Sequence, residues 1–378
     1  MTPGLGLYIH WPYCARICPY CDFNVVRDRG RDPEKAGLVD AIVDDLESHA
    51  ALTGERRLTS IFFGGGTPSR MVPSAVGRII HLAGRLWPVE PHLEVTLEAN
   101  PADIEPGRLA DLAVAGVNRL SLGLQSLDDG ELRLLGRDHD AAAGRRAVEV
   151  ARSIFPHLSL DLIYALPGQT LEHWTEALEE AVELGAEHIS AYQLTIEPGT
   201  SFARAVRRGT VVPPPEDRAA DLFEATQTVL EGFGFEAYEI SNHARGAAAR
   251  SRHNLNYWRG GDYVGVGPGA HGRLTLAGRR YATVAPRSVA GYVDAVRRDG
   301  SSLSPEPLAE REVALERLLM GLRTFEGVAT SDLAPLHIPP RRMGELEGFV
   351  EVSDDRLIVT RRGRPVLDRL IAELADAA

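Results

Sequence analysis

The stretch GLYIHWPYCARICPYCDFN, Gly6–Asn24, decides how the rest of the chain is read. It contains Cys14, Cys18 and Cys21, and no other cysteine occurs among the 378 residues. The spacing is C-x3-C-x2-C, placed just after an apolar run, Gly6–His10, that reads as a strand. Clustered thiols in a chain without a secretory leader point to metal binding or catalysis rather than to disulfides. A structural zinc normally takes a fourth ligand from a second pair downstream, and no such Cys/His pair is present. Three thiolates on a cubane [4Fe–4S] cluster leave one iron open to a substrate or cofactor. The competing reading is a three-cysteine zinc site completed by a distant histidine.

Composition narrows the class. Hydrophobic residues are 44% and charged residues 25%, as in an ordinary globular protein. The net charge of −12 and the lack of a Lys/Arg-rich block argue against nucleic acid as the main partner. No run of about 18 apolar residues is present, so no membrane span is expected. No basic segment precedes an apolar one at the N-terminus, so no signal peptide and a cytoplasmic location are expected.

Strand and helix patterns alternate. Strands are predicted at Gly6–His10, LTSIFF, Leu93–Glu98, NRLSLGL, LSLDLIYAL and HISAYQL. Helices are predicted near Lys35–Ala51, at Pro73–Trp87, around Leu109 and Leu112, at Ala141–Ser153, and through Leu171, Trp174, Leu178 and Val182. The strands read as apolar on both faces, which argues an α/β fold with a parallel sheet or barrel. VVPPPEDR, Val211–Arg218, breaks the pattern. From about Leu308 an amphipathic helix and a strand–turn–helix suggest a small separate tail domain. The expected division is a barrel core over 1–210, an extension over 211–295 and a C-terminal helical domain over 296–378.

Ligands of parallel βα proteins sit at the carboxyl ends of the strands. There the sequence places the cysteines, then GGGTPS (Gly64–Ser69), Glu98, Gln125, Asp161 and Thr195. The glycine strip is either a tight turn or a place where backbone approaches a ligand closely. It is not a Walker loop, because no Gly-Lys-Ser/Thr follows. Glu98, Gln125 and Arg137 each also read as solvated rim residues. Asp161 lies inside an apolar strand, where an unpaired carboxylate is costly, and an acceptor role toward ribose hydroxyls would explain it.

YIHWPYC, FFGGGTPS, LEANP, GLQS, GRDH and DLIYALPGQT together resemble the oxygen-independent coproporphyrinogen III oxidase-like family of the radical S-adenosylmethionine (SAM) superfamily, over nearly the whole chain. The resemblance implies a partial (β/α)6 barrel with a small winged-helix-like C-terminal domain. It implies a [4Fe–4S] cluster on Cys14, Cys18 and Cys21, with SAM chelating the free iron. It carries over Tyr8, Tyr20, Gly66, Thr67, Pro68, Glu98, Gln125, Arg137, Asp161 and Thr195 as SAM contacts. In that superfamily an electron from the cluster cleaves the sulfonium to methionine and a 5′-deoxyadenosyl radical.

Two departures matter. The oxidases carry a fourth cysteine where this chain has Phe23, and a longer N-terminal extension. CDFN and the H-N-x-x-Y-W motif of His253, Asn254, Tyr257 and Trp258 instead resemble the HemW branch, whose members are heme chaperones. His253 could offer an imidazole to heme iron, with His10 and His271 as alternatives; Tyr257 and Trp258 could supply flat apolar surface. The bland reading is that NYW is core packing and His253 a hydrogen-bonded core residue. The resemblance therefore implies a heme carrier with hemoprotein acceptors of respiratory-chain type, an electron donor, and a cluster that regulates assembly, dimerisation or electron delivery. The alternative is an enzyme that decarboxylates porphyrinogen propionates. A third reading, a DNA-binding tail, rests on TRRGR (Thr360–Arg364), which reads more simply as a solvated turn.

Overall fold

The computed structural model of the protein describes residues 4–376. Six strands succeed one another: β1 Leu5–Trp11, β2 Leu58–Gly65, β3 Val89–Ala99, β4 Arg119–Gln125, β5 His157–Tyr164 and β6 His188–Gln193. Each pairs in parallel with the next. Five helices return the chain between them: α1 Asp32–Thr53, α2 Pro73–Leu86, α3 Pro106–Val114, α4 Ala141–Ile154 and α5 Leu171–Glu183. Their starts follow local chemistry. Proline opens α1, α2 and α3, while Asp140 and Thr170 accept the backbone N–H of Ala143 and His173 to cap α4 and α5.

The strands are not apolar on both faces. One set of alternate residues faces the helices: Leu7 and Ile9, Ile61 and Phe63, Leu120 and Leu122, Leu160 and Leu162 are each fully buried. Burial of each contributes roughly 1.5–3 kcal/mol. The other set faces inward and is polar: His10, Glu98, Arg119, Ser121, Ser159, Asp161, His188 and Ser190. Side chains on a strand alternate between faces, so serines set among leucines mark a hollow rather than a doubly buried strand.

The sheet continues beyond both ends of the six-strand run. On one side β7 Asp262–Val266 pairs in parallel with β1, followed by antiparallel β8 His271–Leu276 and β9 Arg279–Val284. On the other, Asn242–Ala244 and Glu236–Ala237 extend β6 antiparallel. The strand order is linear, from Glu306–Pro307 to Glu236–Ala237, so the barrel is open. The amino-terminal end of the barrel is plugged by helix α6, Arg252–Trp258. Glu94 of β3 accepts the first backbone N–H groups of this helix, from Arg252 and His253, each at 3.0 Å.

A second apolar cluster, from Ala314 to Leu374, forms the C-terminal unit. Two helices, Glu310–Gly321 and Leu367–Asp376, pack with an antiparallel sheet of Val328–Ala329, Arg356–Val359 and Val350–Ser353, which gives the winged-helix-like character. TRRGR is not simply a solvated turn. Arg361 and Arg362 are exposed, but Arg364 is buried. It donates to the carbonyls of Leu322, Arg323 and Thr324 and lies 4.0 Å over the Phe325 ring. Its charge satisfies the carbonyl end of the preceding helix. Among the described residues no helix is long and apolar enough to cross a membrane.

Asp45 of α1 joins this helix to the segment after β9. Its buried carboxylate accepts from the Tyr292 hydroxyl (2.8 Å), the Ser301 hydroxyl (2.8 Å), and the Ser302 N–H (2.8 Å) and hydroxyl (2.6 Å). Asp45→Ala orphans these donors and is expected to cost about 3 kcal/mol, read as a lower denaturation midpoint of the apo protein; an unchanged midpoint would contradict it.

Candidate functional site

The cysteine loop is anchored before it begins. Tyr13–Cys14 pairs with Val26–Arg27, closing the loop at its base. The glycine strip after β2 zips against the same segment: Gly66 N–H donates to Trp11 O at 2.7 Å and Thr67 N–H to Tyr13 O at 3.0 Å. A Cβ on Gly66 would fall 2.7 Å from Pro12 O. The strip is therefore needed for close approach of the cysteine loop's own backbone, while Gly66 and Thr67 also line the cavity beneath it.

The loop roofs a cavity of about 420 Å³ at the carboxyl ends of the strands. All three cysteines line it, with Tyr20, Gly66, Thr67, Glu98, Gln125, Arg137, Asp161 and Thr195. Gln125 reaches it from a left-handed backbone (φ 68°) at a bulge in β4, an unusual conformation for a residue with a Cβ. Two expected residues lie elsewhere. Pro68 is buried in the turn Pro68–Arg70, behind the wall. Tyr8 points into the barrel, because it shares the inward face of β1 with His10, and its hydroxyl lies 3.0 Å from His10 Nδ1.

None of the cysteines is in a disulfide. Burial pushes the Cys14 thiol up to about 11 and raises that of Cys21; a bound metal centre would reverse this by holding the thiolates. Among the described residues no three histidine, cysteine or carboxylate groups are gathered around one metal ion. A cubane asks for a wider spacing, since each thiolate takes its own iron. Arg137 extends Nη1 to 3.6 Å from Cys18 Sγ, and its Nη2 donates to Asn100 Oδ1 and Gly123 O. Its buried Nε has no partner.

Glu98 and Asp161 form the acidic wall. Burial, with the charge of Asp161 added, pushes the Glu98 carboxyl up to about 8 against the N–H of Gly65 at 3.1 Å. Burial also raises Asp161, opposed by hydrogen bonds from Ser190 and Ser121. Their hydrogen-bond donors are an amide and hydroxyls rather than cations. A ligand bringing a positive centre and a diol would satisfy both. The donor set therefore fits a cluster on the three thiols and SAM beside it.

A second, larger hollow of about 760 Å³ fills the barrel. Phe23, Gly65, Glu98, Ser121, Asp161 and Tyr192 line both spaces, so the two share a wall. Helix α6 closes this hollow, but only part of its motif faces in. His253, Asn254 and Tyr257 line it. The His253 ring stacks 5.0 Å from Phe62, Nδ1 lies 3.0 Å from Ser60 Oγ, and burial lowers its pKa to about 3. Trp258 does not line the hollow; it faces the C-terminal unit, with Arg323 5.6 Å over its ring. Adjacent positions on a helix are about 100° apart, so although the two ring centroids lie 4.8 Å apart, only Tyr257 faces the hollow.

Arg119, Ser159, His188, Ser190, Asn24 and Arg287 also belong to these walls and escaped the sequence reading. The signal for the strand residues was the leucine–polar alternation. Asn24 had none: its Nδ2 donates to Pro268 O and Arg287 O, both at 2.8 Å, and its carbonyl accepts from His10 Nε2, also at 2.8 Å.

A profile of the Radical SAM superfamily matches residues 8–181. Radical S-adenosyl methionine domain-containing protein 1, mitochondrial, of Mus musculus is 42% identical over 329 residues, spanning 85% of this chain and 74% of its own length. Heme chaperone HemW of Escherichia coli (strain K12) is 40% identical over 293 residues, 77% of this chain and 76% of its own. Heme chaperone HemW of Mycobacterium tuberculosis is 34% identical over 381 residues, 98% and 95%. Among solved structures, coproporphyrinogen III oxidase (HemN) from Escherichia coli, a radical SAM enzyme, superposes with a TM-score of 0.82 at 21% identity, over 100% of this chain and 91% of that one. At that identity the likeness speaks for the fold.

Cys14→Ala, Cys18→Ala and Cys21→Ala are each expected to abolish the iron–sulfur absorbance of anaerobically reconstituted protein; a full cluster in any of them would refute the ligand set. Because folding raises the Glu98 pKa from 4.5 to about 8, folding favours its protonated form. The apo protein therefore loses stability from this group as pH climbs through that window. Glu98→Gln is expected to raise the apo melting temperature at pH 8 and to change it least near pH 4.5; the same shift at both pH values would contradict this origin.

Proposed function

Since the chain belongs to the radical SAM superfamily, within the coproporphyrinogen oxidase-like family that includes the HemW heme chaperones, we propose that it is a heme carrier that binds heme and passes it to acceptor hemoproteins. The observation that carries this reading is the barrel hollow of about 760 Å³ sharing a wall with the cysteine cavity. Its volume lies within the range of cofactor-sized pockets, roughly 300–1,000 Å³. Tyr8, Phe62 and Tyr257 give it flat apolar surface, and several imidazoles line it.

In this reading Cys14, Cys18 and Cys21 hold a [4Fe–4S] cluster, and SAM lies along Glu98, Gln125, Arg137, Asp161 and Thr195. When bound, the cluster and SAM supply one-electron chemistry. The chain's own residues orient and shield: Arg137 stabilises negative charge at Cys18, and Glu98 and Asp161 receive a positive centre and hydroxyls. Phe23, 61% exposed, is a hydrocarbon in the shared wall. It cannot ligate iron and serves as apolar surface for a flat guest. A one-electron donor must reach the cluster, and the free thiols suit a reducing, cytosolic setting.

A second reading, oxygen-independent decarboxylation of coproporphyrinogen III, is favoured by the wall that the two spaces share. The two readings separate in one experiment on reconstituted protein with SAM and dithionite. Heme is expected to give a Soret shift that saturates at one equivalent, while coproporphyrinogen III gives no protoporphyrinogen. Turnover of coproporphyrinogen matched by 5′-deoxyadenosine would overturn the carrier reading in favour of the enzyme.

A further inference from the structure

An iron ligand needs a neutral imidazole with an unused nitrogen facing the guest. The histidines of the barrel hollow differ in how far they are exposed and in how many of their nitrogens are engaged. His10 has both nitrogens engaged, Nδ1 with the Tyr8 hydroxyl and Nε2 with the Asn24 carbonyl. His188 keeps a free Nδ1, but it lies deep in the floor at 1% exposure, with Nε2 2.8 Å from the Tyr238 hydroxyl. His253, from the motif helix, engages only Nδ1, with Ser60, but it is 5% exposed and stacked on Phe62. Its ring is part of the wall.

His271 is different. It opens β8 at the mouth of the hollow, is exposed, and takes no side-chain hydrogen bond among the described residues. Val284, its cross-strand partner in β9, lines the same mouth and is 48% exposed, so it offers an apolar shelf beside the imidazole. Arg287 stands at the same mouth, also exposed. Burial and the charges of Arg273 and Arg287 lower the His271 pKa, which keeps the imidazole neutral.

The mouth is built, not loose. Asn24 clamps the carbonyls of Pro268 and Arg287, the two chain segments that flank β8 and β9. A Cβ on Gly269 would fall 2.5 Å from Asn24 Nδ2, so the approach depends on glycine there, at φ 77°. Asn24 sits three residues after Cys21, so the cysteine loop itself positions His271 and Arg287.

We infer that heme docks at this mouth, with His271 as the iron ligand and Arg287 pairing with a propionate carboxylate, and that His253 is a wall residue. This rests on the heme-carrier reading and assigns its ligands. Heme carries both an open axial position and two carboxylates, so it needs a neutral imidazole and a guanidinium at one opening. The polar edge then stays toward solvent, where an acceptor protein can reach it.

The test uses the full-length, cluster-reconstituted chain titrated with ferric heme and with heme dimethyl ester, read by the Soret band and by electron paramagnetic resonance of the iron. His271→Ala is expected to weaken heme at least tenfold and to remove the imidazole-ligated signature, and added free imidazole is expected to restore that signature. His253→Ala is expected to weaken binding while keeping the signature. Arg287→Gln is expected to weaken heme severalfold and leave the dimethyl ester, which lacks the carboxylates, unaffected. A wild-type signature in His271→Ala, or its loss in His253→Ala instead, overturns the ligand assignment. Equal losses for heme and its ester in Arg287→Gln overturn the propionate contact. A wild-type chain that takes up no heme at all overturns the carrier reading and this inference with it.

Discussion

The two-residue period of the parallel strands is the constraint on which the rest depends. Residues at even spacing must share a face. With leucines, isoleucines and phenylalanine turned out to the helices, everything between them is turned in. That places Arg119, Ser121, Ser159, Asp161, His188 and Ser190 around a hollow. A closed eight-stranded barrel fills its interior with branched apolar side chains; this open barrel does not. Here the interior polar groups are matched in part by one another, as Arg119 with Ser159 at 2.9 Å and Ser121 with Asp161. The remainder face the cavities.

The carboxyl-terminal rim then receives the cysteine loop. Two devices hold that loop: the glycine strip, which accepts it at backbone distance, and Asn24, which ties its far end to the segments beside β8 and β9. One loop thus forms the roof of the smaller cavity and one side of the larger. Glu98 and Asp161, set in the common wall, make a cation and hydroxyl groups welcome on the cluster side. A change in what occupies the smaller cavity acts on residues that also face the larger one, which gives a physical route by which cluster and SAM could govern a guest in the barrel.

Much of this was legible in the sequence because it is written locally. The C-x3-C-x2-C spacing, the six strands and the helix start at Pro73 need only near neighbours. The rim positions of Glu98, Gln125 and Thr195 followed from strand ends, and Asp161 stood out as a carboxylate inside an apolar strand. What escaped depends on direction or on distant partners. Ser159 and Asp161, alternating with leucines in LSLDLIYAL, were read as part of a doubly buried strand, because the pattern alone does not say which side is hollow. Tyr8 was expected among the SAM contacts, and strand alternation turns it into the barrel hollow. Trp258 follows Tyr257 in sequence and so faces the opposite unit. Asn24 meets Pro268 and Arg287 across more than 240 positions, as sequence separations of 244 and 263 attest, and nothing local marks such a clamp. Arg364 was hidden in a basic run whose neighbours are exposed.

The adjacency of the two cavities is best tested by the magnetic coupling between their occupants. The reconstituted, dithionite-reduced protein would be examined by power-saturation and pulsed electron paramagnetic resonance of the cluster, without heme and with one equivalent of paramagnetic heme. On the proposed carrier reading, heme in the barrel would share a wall with the cluster site, so it is expected to speed the relaxation of the cluster signal strongly, with diamagnetic zinc protoporphyrin giving no such effect. Cluster relaxation unchanged by stoichiometrically bound heme would place the heme elsewhere on the protein and contradict the shared-wall arrangement.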